Sequence, residues 1–418
     1  MSKLDKLIAK LCPDGIEYKT TKDIIKDSFW LMPATPAFVS EGIPYITSKN
    51  IKDGQIYFDN CKYITIDDFQ KISNNRDIKY GDLLITMIGT IGEVAIVNIN
   101  MNFYGQNLYL LRLNNAIIIT KYFYYFITSS KIKLSLISKK NASSQGYIKA
   151  NSIENLKIPL PPLPIQEEIV RILDKFTSLT AELTAELTAR RKQYEFYRNA
   201  LLSFKSEYVS TGGHEVSEKR AITHNTILEN LMAELCPNGV EYKELREVTS
   251  ISRGVRVTRN QLSNTGTIPV YQNSLTPLGY FTKSNCPDNT TFIICAGAAG
   301  EVGYSKNKFW AADDCYYFIT PDFLNNKYLY YFLLYKNKYL KNKVRKASVP
   351  RLSRQSFERL SIPVPPLLIQ QKIVNILDRF DALCNDLTSG LPAEIEARQK
   401  QYEYYRDKLL TFKELKTK

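Results

Sequence analysis

The chain has 418 residues, which is too long for one ordinary globular core and suits two modules of about 150 residues with connecting elements. Hydrophobic residues at 44% and charged residues at 23% are ordinary globular values, so they exclude an intrinsically disordered chain and a membrane protein. The 56 Lys and Arg against 42 Asp and Glu give a net charge of +14, which attracts polyanions such as nucleic acid. An AT-biased genome would also produce an Asn-, Ile- and Lys-rich chain with this charge. The charge alone therefore does not decide between nucleic-acid binding and genome composition.

The first residues and the cysteines indicate the compartment. MSKLDKLIAKL is a charged amphipathic stretch without a signal-peptide core, so we expect a cytoplasmic protein. The seven cysteines are scattered, odd in number and never spaced as CxxC, a pattern that argues against disulfide scaffolds and zinc sites. We therefore expect reduced structural thiols at Cys12, Cys61, Cys236, Cys286, Cys295, Cys315 and Cys384.

The sequence contains an internal repeat, which has to be recognised before any fold is assigned. Three blocks recur in the same order, with offsets of 224, 204 and 208 residues: Leu11–Lys19 with Leu235–Lys243, Ile158–Phe176 with Ile362–Phe380, and Arg190–Lys205 with Arg398–Lys413. The first block contains Pro-Asp-Gly or Pro-Asn-Gly, which predicts a turn that opens a strand. The changing offsets mean that the segment between the first two blocks is shorter in the second half.

The segment between the first two blocks differs between the halves, but a common frame is recognisable. Gly81–Val97 corresponds to Thr290–Ser305, and the GTIG and GAAG sequences within these stretches predict turns at strand ends. Short runs rich in Ile, Val, Tyr and Phe predict strands, whereas Lys121–Ser130 and Asn326–Tyr335 predict packed helices. Each variable segment is therefore predicted to be an α+β domain.

Two long helices follow the two variable segments. Apolar residues from Ile165 to Leu183 step by four and three residues, which is a coiled-coil heptad pattern, and the doubled TAEL at Thr180–Leu187 adds a four-residue stutter. A helix from Ile165 to Lys205 would be about 60 Å long. The second copy has the same pattern, but Ser389–Pro392 predicts a break. We expect the two helices to pair in an antiparallel, pseudo-twofold arrangement; the alternative is that each packs only on its own domain.

The resulting fold class is α+β, with two α+β domains in tandem separated by two long antiparallel coiled-coil helices with pseudo-twofold internal symmetry. The predicted segments are the N-terminal helix and first domain at 1–158, the first spacer helix at 159–206, an exposed connector at 207–225, a second short helix and second domain at 226–362, and the second spacer helix at 363–418.

The sequence contains few residues suited to catalysis. Both histidines, His214 and His224, fall in the predicted connector, so a Ser-His-Asp or Cys-His nucleophile has no base. Asp14 and Glu17 with a following lysine look like the magnesium-binding set of nucleases. However, they are too close together to come from neighbouring strands, and Asn238 replaces the aspartate in the second copy. We expect no catalytic residue and no metal ligand in this chain.

Clusters of Arg, Lys, Asn and Gln are the candidates for DNA contact. Arg, Asn and Gln can make bidentate hydrogen bonds to purine edges, while Lys more often holds phosphate. The candidates are Thr47, Ser48, Lys49, Asn50, Lys139, Lys140, Gln145 and Lys149 in the first half, and Arg253, Arg256, Arg259, Gln261, Gln272, Asn273, Arg345, Lys346, Arg351 and Arg354 in the second. Individually, each fits a solvated surface charge or a phosphate contact better than a base contact, so the prediction of DNA binding applies to the clusters only.

The paired PLPPLPIQEEIVRILD and PVPPLLIQQKIVNILD sequences, each followed by an RxKQYEYYR-type helix, closely resemble specificity subunits of type I restriction-modification enzymes. The resemblance covers nearly the whole chain, and the TAEL pair strengthens it. It implies that each domain is a target recognition domain for one half of a bipartite, asymmetric site in double-stranded DNA. It also implies that the helices space the halves and dock two modification subunits. It also implies a prokaryotic cytoplasmic complex, in which S-adenosylmethionine, ATP and Mg²⁺ belong to the modification and restriction subunits and none is bound by this chain. The break in the second helix departs from the symmetric pattern.

Two alternatives remain open at the level of sequence: a stand-alone DNA-binding nuclease, and a scaffold that binds only proteins. Cleavage or methylation of DNA by the purified chain would favour the first. A DNA footprint obtained with the modification subunit would argue against the second. The bases recognised, the length of the gap and the individual base contacts cannot be deduced from the sequence.

Overall fold

The computed structural model describes residues 2–139, 146–204, 226–263, 265–386 and 388–415. The chain forms two compact units: the first comprises Met1–Thr184 with Glu394–Lys418, and the second comprises Ala185–Ala393. Each unit thus contains one variable segment and parts of both long helical regions. The five segments predicted along the chain do not coincide with these two units, and their boundaries stay a prediction. The predicted connector 207–225, with both histidines, lies outside the described residues.

The first unit alternates short helices and strands before the first long helix. Its elements in chain order are α1 (Lys3–Leu11), β1 (Tyr18–Thr20), α2 (Thr21–Ile24), β2 (Ile25–Leu31), β3 (Ile43–Ile46), β4 (Ile51–Lys52), β5 (Gln55–Ile56), β6 (Lys62–Ile64), α3 (Ile66–Ser73), β7 (Leu83–Thr86), β8 (Val94–Ile96), β9 (Tyr104–Gly105), β10 (Leu108–Leu113), α4 (Thr120–Ile127), α5 (Ser130–Ser138), α6 (Ala150–Glu154) and β11 (Lys157–Pro159). The long helix α7 (Leu163–Ser203) follows.

The second unit repeats this order with fewer elements. They are α8 (Thr226–Leu235), β12 (Tyr242–Glu244), α9 (Leu245–Val248), β13 (Ser250–Arg253), β14 (Ile268–Tyr271), β15 (Gly279–Phe281), β16 (Thr290–Ile294), β17 (Val302–Ser305), β18 (Trp310–Ala311), β19 (Cys315–Ile319), α10 (Asn326–Tyr335), α11 (Asn337–Asn342), α12 (Gln355–Glu358), β20 (Ser361–Pro363), α13 (Leu367–Asn385) and α14 (Leu391–Leu409). Helix α14 extends into the first unit, since that unit takes up the chain again at Glu394.

The two units have the same two main sheets, which confirms the α+β prediction; the first unit also has a two-stranded sheet, β4-β5. A four-stranded antiparallel sheet has the order β2-β10-β7-β8 in the first unit and β13-β19-β16-β17 in the second. A three-stranded sheet, β6-β3-β9 or β15-β14-β18, contains one parallel pair in each unit. The register also repeats, because Ile85 opposes Val94 and Ile293 opposes Val302.

The Pro-rich blocks contain one buried glutamine each, and the structure explains its recurrence. Gln166 is fully buried; it accepts a hydrogen bond from the Ile119 backbone N–H at 2.9 Å and donates to the Pro161 carbonyl at 2.7 Å. Gln370 makes the corresponding bonds with Asn325 and Pro365 at 2.8 and 2.7 Å. Because a buried amide left without partners is costly, these bonds fix the start of each long helix against its domain.

A second repeated contact joins the helix after the sheet to the long helix. The hydroxyl of Tyr125 and the ammonium of Lys121 both donate to Asp174, at 2.6 and 2.7 Å. In the second unit, Tyr331 and Lys327 donate to Asp378 at 2.5 and 2.7 Å. The structure also confirms the helices predicted at Lys121–Ser130 and Asn326–Tyr335, although the first of them ends earlier, at Ile127.

Helix α7 runs without interruption for 41 residues and includes both TAEL sequences. It begins at Leu163 and ends at Ser203, close to the predicted limits; the predicted end at Lys205 lies outside the described residues. The second helical region is broken, as predicted, between Asn385 and Leu391. Gly390 donates its backbone N–H to the Asp386 carbonyl at 3.0 Å, which closes the turn between α13 and α14.

The apolar seam of each long helix is shared between two kinds of partner. Ile165 and Ile169 are fully buried in the domain core of the first unit, whereas Phe176 stacks on Tyr405 of α14 with ring centroids 5.5 Å apart. In the second unit, Phe380 of α13 stacks on Tyr197 of α7 at 5.2 Å. The expected helix–helix packing is therefore confirmed for the aromatic positions, while the first turns pack on the domain, as the alternative interpretation proposed.

Other side chains of the long helices are charged and paired or remain exposed. Glu168 is 3% exposed and receives hydrogen bonds from Arg171 and Lys3, which hold the pKa of its carboxyl at about 2. Phe196 and Tyr404 occupy equivalent positions of the repeat and are 44% and 63% exposed. In both units, apolar surface is therefore left uncovered at the same place on the helix.

The remaining local predictions concern turns, thiols and hydrophobic spans. Turns at Pro13–Asp14 and Pro237–Asn238 precede β1 and β12, as predicted, and Glu17 is exposed beside Lys19. All seven cysteines are free thiols, as predicted. Among the helices of the described residues, none combines the length and apolar character that a bilayer crossing requires.

Candidate nucleic-acid interface

Three segments that are far apart in the sequence meet at one end of the second unit. The residues after β14, Gln272 and Asn273, contact the turn between β16 and β17, because Ala298 donates its backbone N–H to the Asn273 carbonyl at 2.9 Å. On its other side, Gly297 donates to the Pro350 carbonyl at 3.2 Å. Segment 272–273, turn 297–300 and hairpin 345–351 therefore form one continuous backbone surface, here called the second-unit tip.

Gly297 allows this close approach. Its φ is +80°, and a Cβ built on it would lie 2.8 Å from the Asn273 carbonyl oxygen and 2.9 Å from the Asn273 Cβ. A larger residue would be strained in its backbone and would push Asn273 away. The predicted role of GAAG as a turn at a strand end is confirmed.

The hairpin of the tip is fixed to the core of the second unit. Arg345 and Arg351 exchange two backbone hydrogen bonds, at 2.8 and 3.2 Å, and Leu352 donates to the Cys295 carbonyl at 2.9 Å. Leu352 and Cys295 are buried, and burial raises the pKa of the Cys295 thiol to about 12, so it stays protonated and apolar. Arg351 thus protrudes from a backbone that is bonded on both edges.

The first unit builds an equivalent surface, the first-unit tip, from segment 47–50, turn 89–92 and segment 146–149. Thr90 donates its hydroxyl to the Ser48 carbonyl at 2.8 Å, and Ile148 donates its N–H to the Met87 carbonyl at 3.1 Å. An isolated bridge joins Ile88 to Tyr147, as another joins Ala296 to Arg351. Tyr147 therefore has the same backbone position in the first unit as Arg351 in the second.

The first-unit candidates differ in what their side chains can do. Asn50 accepts from the Thr47 N–H at 2.9 Å and hydroxyl at 3.2 Å and donates to the Tyr57 carbonyl at 2.9 Å, so its amide is occupied within the loop. Ser48 is buried. The ammonium-bearing candidates Lys49, Lys139 and Lys149 are exposed. Lys140 and Gln145 lie outside the described residues.

Several second-unit candidates are likewise occupied by intramolecular bonds. Arg253 donates to the Asp313 carbonyl at 2.8 Å, Gln261 accepts from the Thr258 N–H at 2.8 Å, and Arg354 pairs with Glu358 at 2.9 Å. Gln272 is half-buried, and its backbone carbonyl accepts a hydrogen bond from the Cys315 thiol at 3.1 Å. In the described part of the chain, the exposed candidates whose side chains make no hydrogen bond or ion pair are Arg256, Arg259, Asn273, Arg345, Lys346 and Arg351.

Two apolar side chains that the sequence pattern does not single out are exposed at the ends of equivalent strands. Met32 is 55% exposed just after β2, and Val255 is 57% exposed just after β13, the equivalent strand. Apolar side chains can contact the methyl group of thymine in the major groove. Sequence alone offers no signal for them, since an apolar residue at a strand end is most often part of a core.

Neither tip has the composition of a catalytic or metal centre. No group of three or more His, Cys, Asp or Glu residues with metal-binding geometry occurs among the described residues. The groups that the tips expose are cationic, amide or apolar, which are the groups that contact phosphates and base edges. Chemically, these surfaces are suited to nucleic-acid binding.

Comparison with known proteins agrees with this geometry. The family described as type I restriction modification DNA specificity domain matches residues 14–190 and again 237–397. The chain therefore belongs to the type I restriction-modification DNA specificity family. The double match coincides with the repeat found in the sequence.

Individual relatives have the same description. The chain is 34% identical over 306 residues to the EcoR124I/EcoR124II specificity subunit of Escherichia coli, covering 70% of each protein. It is 28% identical over 408 residues to a putative type I restriction enzyme specificity subunit of Haemophilus influenzae, covering 90% of this chain and 89% of the relative. The crystal structure of the type I restriction-modification S subunit from M. genitalium has the same fold, with a TM-score of 0.58 at 17% identity over 95% of this chain and 96% of that one.

Proposed function

We propose that this chain is the subunit that selects the DNA sequence in a type I restriction-modification complex. Each unit recognises one half of a bipartite, asymmetric target in double-stranded DNA, and the long helices set the gap between the halves. The chain does no chemistry of its own. Modification subunits bind S-adenosylmethionine and methylate the site, and restriction subunits use ATP and Mg²⁺.

The observation that best supports two recognition functions is that the two tips have a similar backbone but different exposed side chains. The two tips share the bond that Ile148 or Leu352 donates to the end of the sheet, one equivalent bridge, and the glycine turns at 89–92 and 297–300, but their exposed side chains differ. Tyr147 in one unit stands where Arg351 stands in the other. A common frame with different exposed groups is expected of two modules that bind the same kind of ligand and recognise different sequences.

A role for the helices in docking is supported by their exposed apolar residues. Phe196 and Tyr404 are exposed at equivalent places in the repeat. Repetition of the same exposed aromatic position is expected if two copies of one partner bind, one to each equivalent surface. We therefore propose two modification subunits per chain.

Methylome sequencing tests the proposal directly. Cells that express this chain with its modification subunit should methylate a single motif consisting of two short specific halves separated by a non-specific gap. Cells with the modification subunit alone should show no such motif. A continuous motif, or DNA cleavage by the purified chain, would contradict the proposal and favour a stand-alone enzyme. A complex that forms but gives no DNA footprint would favour a protein-only scaffold.

A further inference from the structure

We propose that Arg351 determines a guanine in the half-site recognised by the second unit, by pairing its guanidinium with one G·C base pair in the major groove. This inference rests on the proposed function and goes beyond it, because it assigns one base type to one side chain.

The first support is preorganisation. The Arg351 backbone is bonded to Arg345 on one edge and forms the bridge to Ala296 on the other, and the next residue, Leu352, is buried. A side chain that recognises a base must start from a fixed point, since freedom of the backbone would have to be lost on binding. Among the exposed arginines in the described part of the second unit, Arg351 has backbone pairing on both edges, with Arg345 and with Ala296.

The second support is that the guanidinium is available. Arg351 is exposed and has no hydrogen-bond or ion-pair partner in the described part of the chain. The neighbouring Arg354 is paired with Glu358 at 2.9 Å. Five N–H donors in a planar fork match the O6 and N7 acceptors of guanine, whereas lysine offers one ammonium on a flexible stem and lacks the fixed planar geometry.

The third support is electrostatic. Arg345 and Arg351 form a hydrogen-bonded cross-strand pair, so their side chains project from the same face of the hairpin. Like charges in directly opposite positions destabilise a strand pair. The repulsion between the two guanidinium groups is reduced when an anion lies against that face. A phosphate of the DNA backbone supplies such an anion when Arg351 contacts a base edge.

The first unit supplies a natural variant of this position. Tyr147 has the equivalent bridge and follows Gly146, so the same frame accepts an aromatic ring. The substitution Arg351→Tyr is therefore compatible with folding, and Arg351→Lys keeps the charge while removing the fork. The matched control is Arg359→Lys, at an exposed arginine eight residues away that directly follows α12.

The experiment is methylome sequencing of cells that express the full complex with each variant. With Arg351→Lys and Arg351→Tyr we expect one guanine position in one half-site to become degenerate, with discrimination falling by about 5-fold to 150-fold, while the other half and the gap are unchanged. Arg359→Lys should preserve the motif.

Other outcomes overturn the assignment. If Arg351→Lys leaves every base preference intact and only Arg351→Tyr lowers methylation uniformly, Arg351 contacts phosphate and reads no base. If the degenerate position is not a G·C pair, or lies in the half that the first unit recognises, the inference is wrong while the proposed function stands. Absence of any bipartite motif with the unsubstituted chain would instead refute the proposed function.

Discussion

Insertion of a third TAEL after Leu187 provides a direct test of the spacer role. The insertion point lies inside α7, which is helical from Leu163 to Ser203, between the Phe176–Tyr405 contact in the first unit and the Tyr194–Phe380 contact in the second. Neither contact involves the inserted residues, and neither tip is altered. The insertion therefore changes only the length and phase of α7 between these two contacts.

The magnitude follows from helix geometry. Four residues add about 6 Å of rise and about 40° of rotation beyond one full turn. One base pair of duplex adds about 3.4 Å and roughly 35°. Translation alone would permit one or two added base pairs, but the rotation matches one. We therefore expect the gap to lengthen by one base pair, with both half-sites unchanged.

The assay compares methylated motifs from cells that carry two and three TAEL sequences. A single alanine inserted after Leu187 is the control, because it rotates the distal part of the helix by about 100° with only about 1.5 Å of rise and should abolish methylation. An unchanged gap with three TAEL sequences, or altered half-site bases, would refute the spacer role.

The remaining predictions concern modularity, assembly and acid stability. Exchanging Val240–Ser361 for the corresponding segment of a relative should replace one half-site in the methylome and leave the other; a simultaneous change of both would contradict two independent units. The chain expressed alone should be poorly soluble and inert, because exposed apolar residues on its helices lack their partners, and co-expression with the modification subunit should rescue it; a monodisperse, active isolated chain would contradict this. In the folded protein the pKa of Glu168 is lowered from its ordinary value of about 4.5 to about 2. Its contribution to stability is therefore present above about pH 4.5 and is lost as the pH falls from about 4.5 to about 2. Thermal unfolding of the complex should show that Glu168→Gln weakens this acid dependence, whereas Glu167→Gln, at an exposed neighbour, does not; equal behaviour of the two variants would refute the assignment.

Much of the architecture follows from the sequence because its causes are local or repeated. The Gly–Leu–Pro sequence at 390–392 predicts a helix break, and the structure has it between Asn385 and Leu391. The doubled Pro-rich blocks and glycine turns predict two copies of one domain, since periodicity and turn chemistry depend on neighbouring residues. The occupied amides of Asn50 and Gln261 were also detectable in principle, because Thr-x-x-Asn and Thr-x-x-Gln have the spacing of capping boxes.

Only the tertiary structure decides which distant segments meet. The sequence shows that α7 is long, but not that its first half belongs to one unit and its second half to the other, with α14 completing the first unit. It presents Asn273, Gly297 and Arg351 as unrelated positions, although backbone bonds join them at the second-unit tip. Such contacts depend on the register of the sheets and on the burial of residues such as Leu352 and Cys295, and burial is a property of the whole folded unit that no local pattern contains.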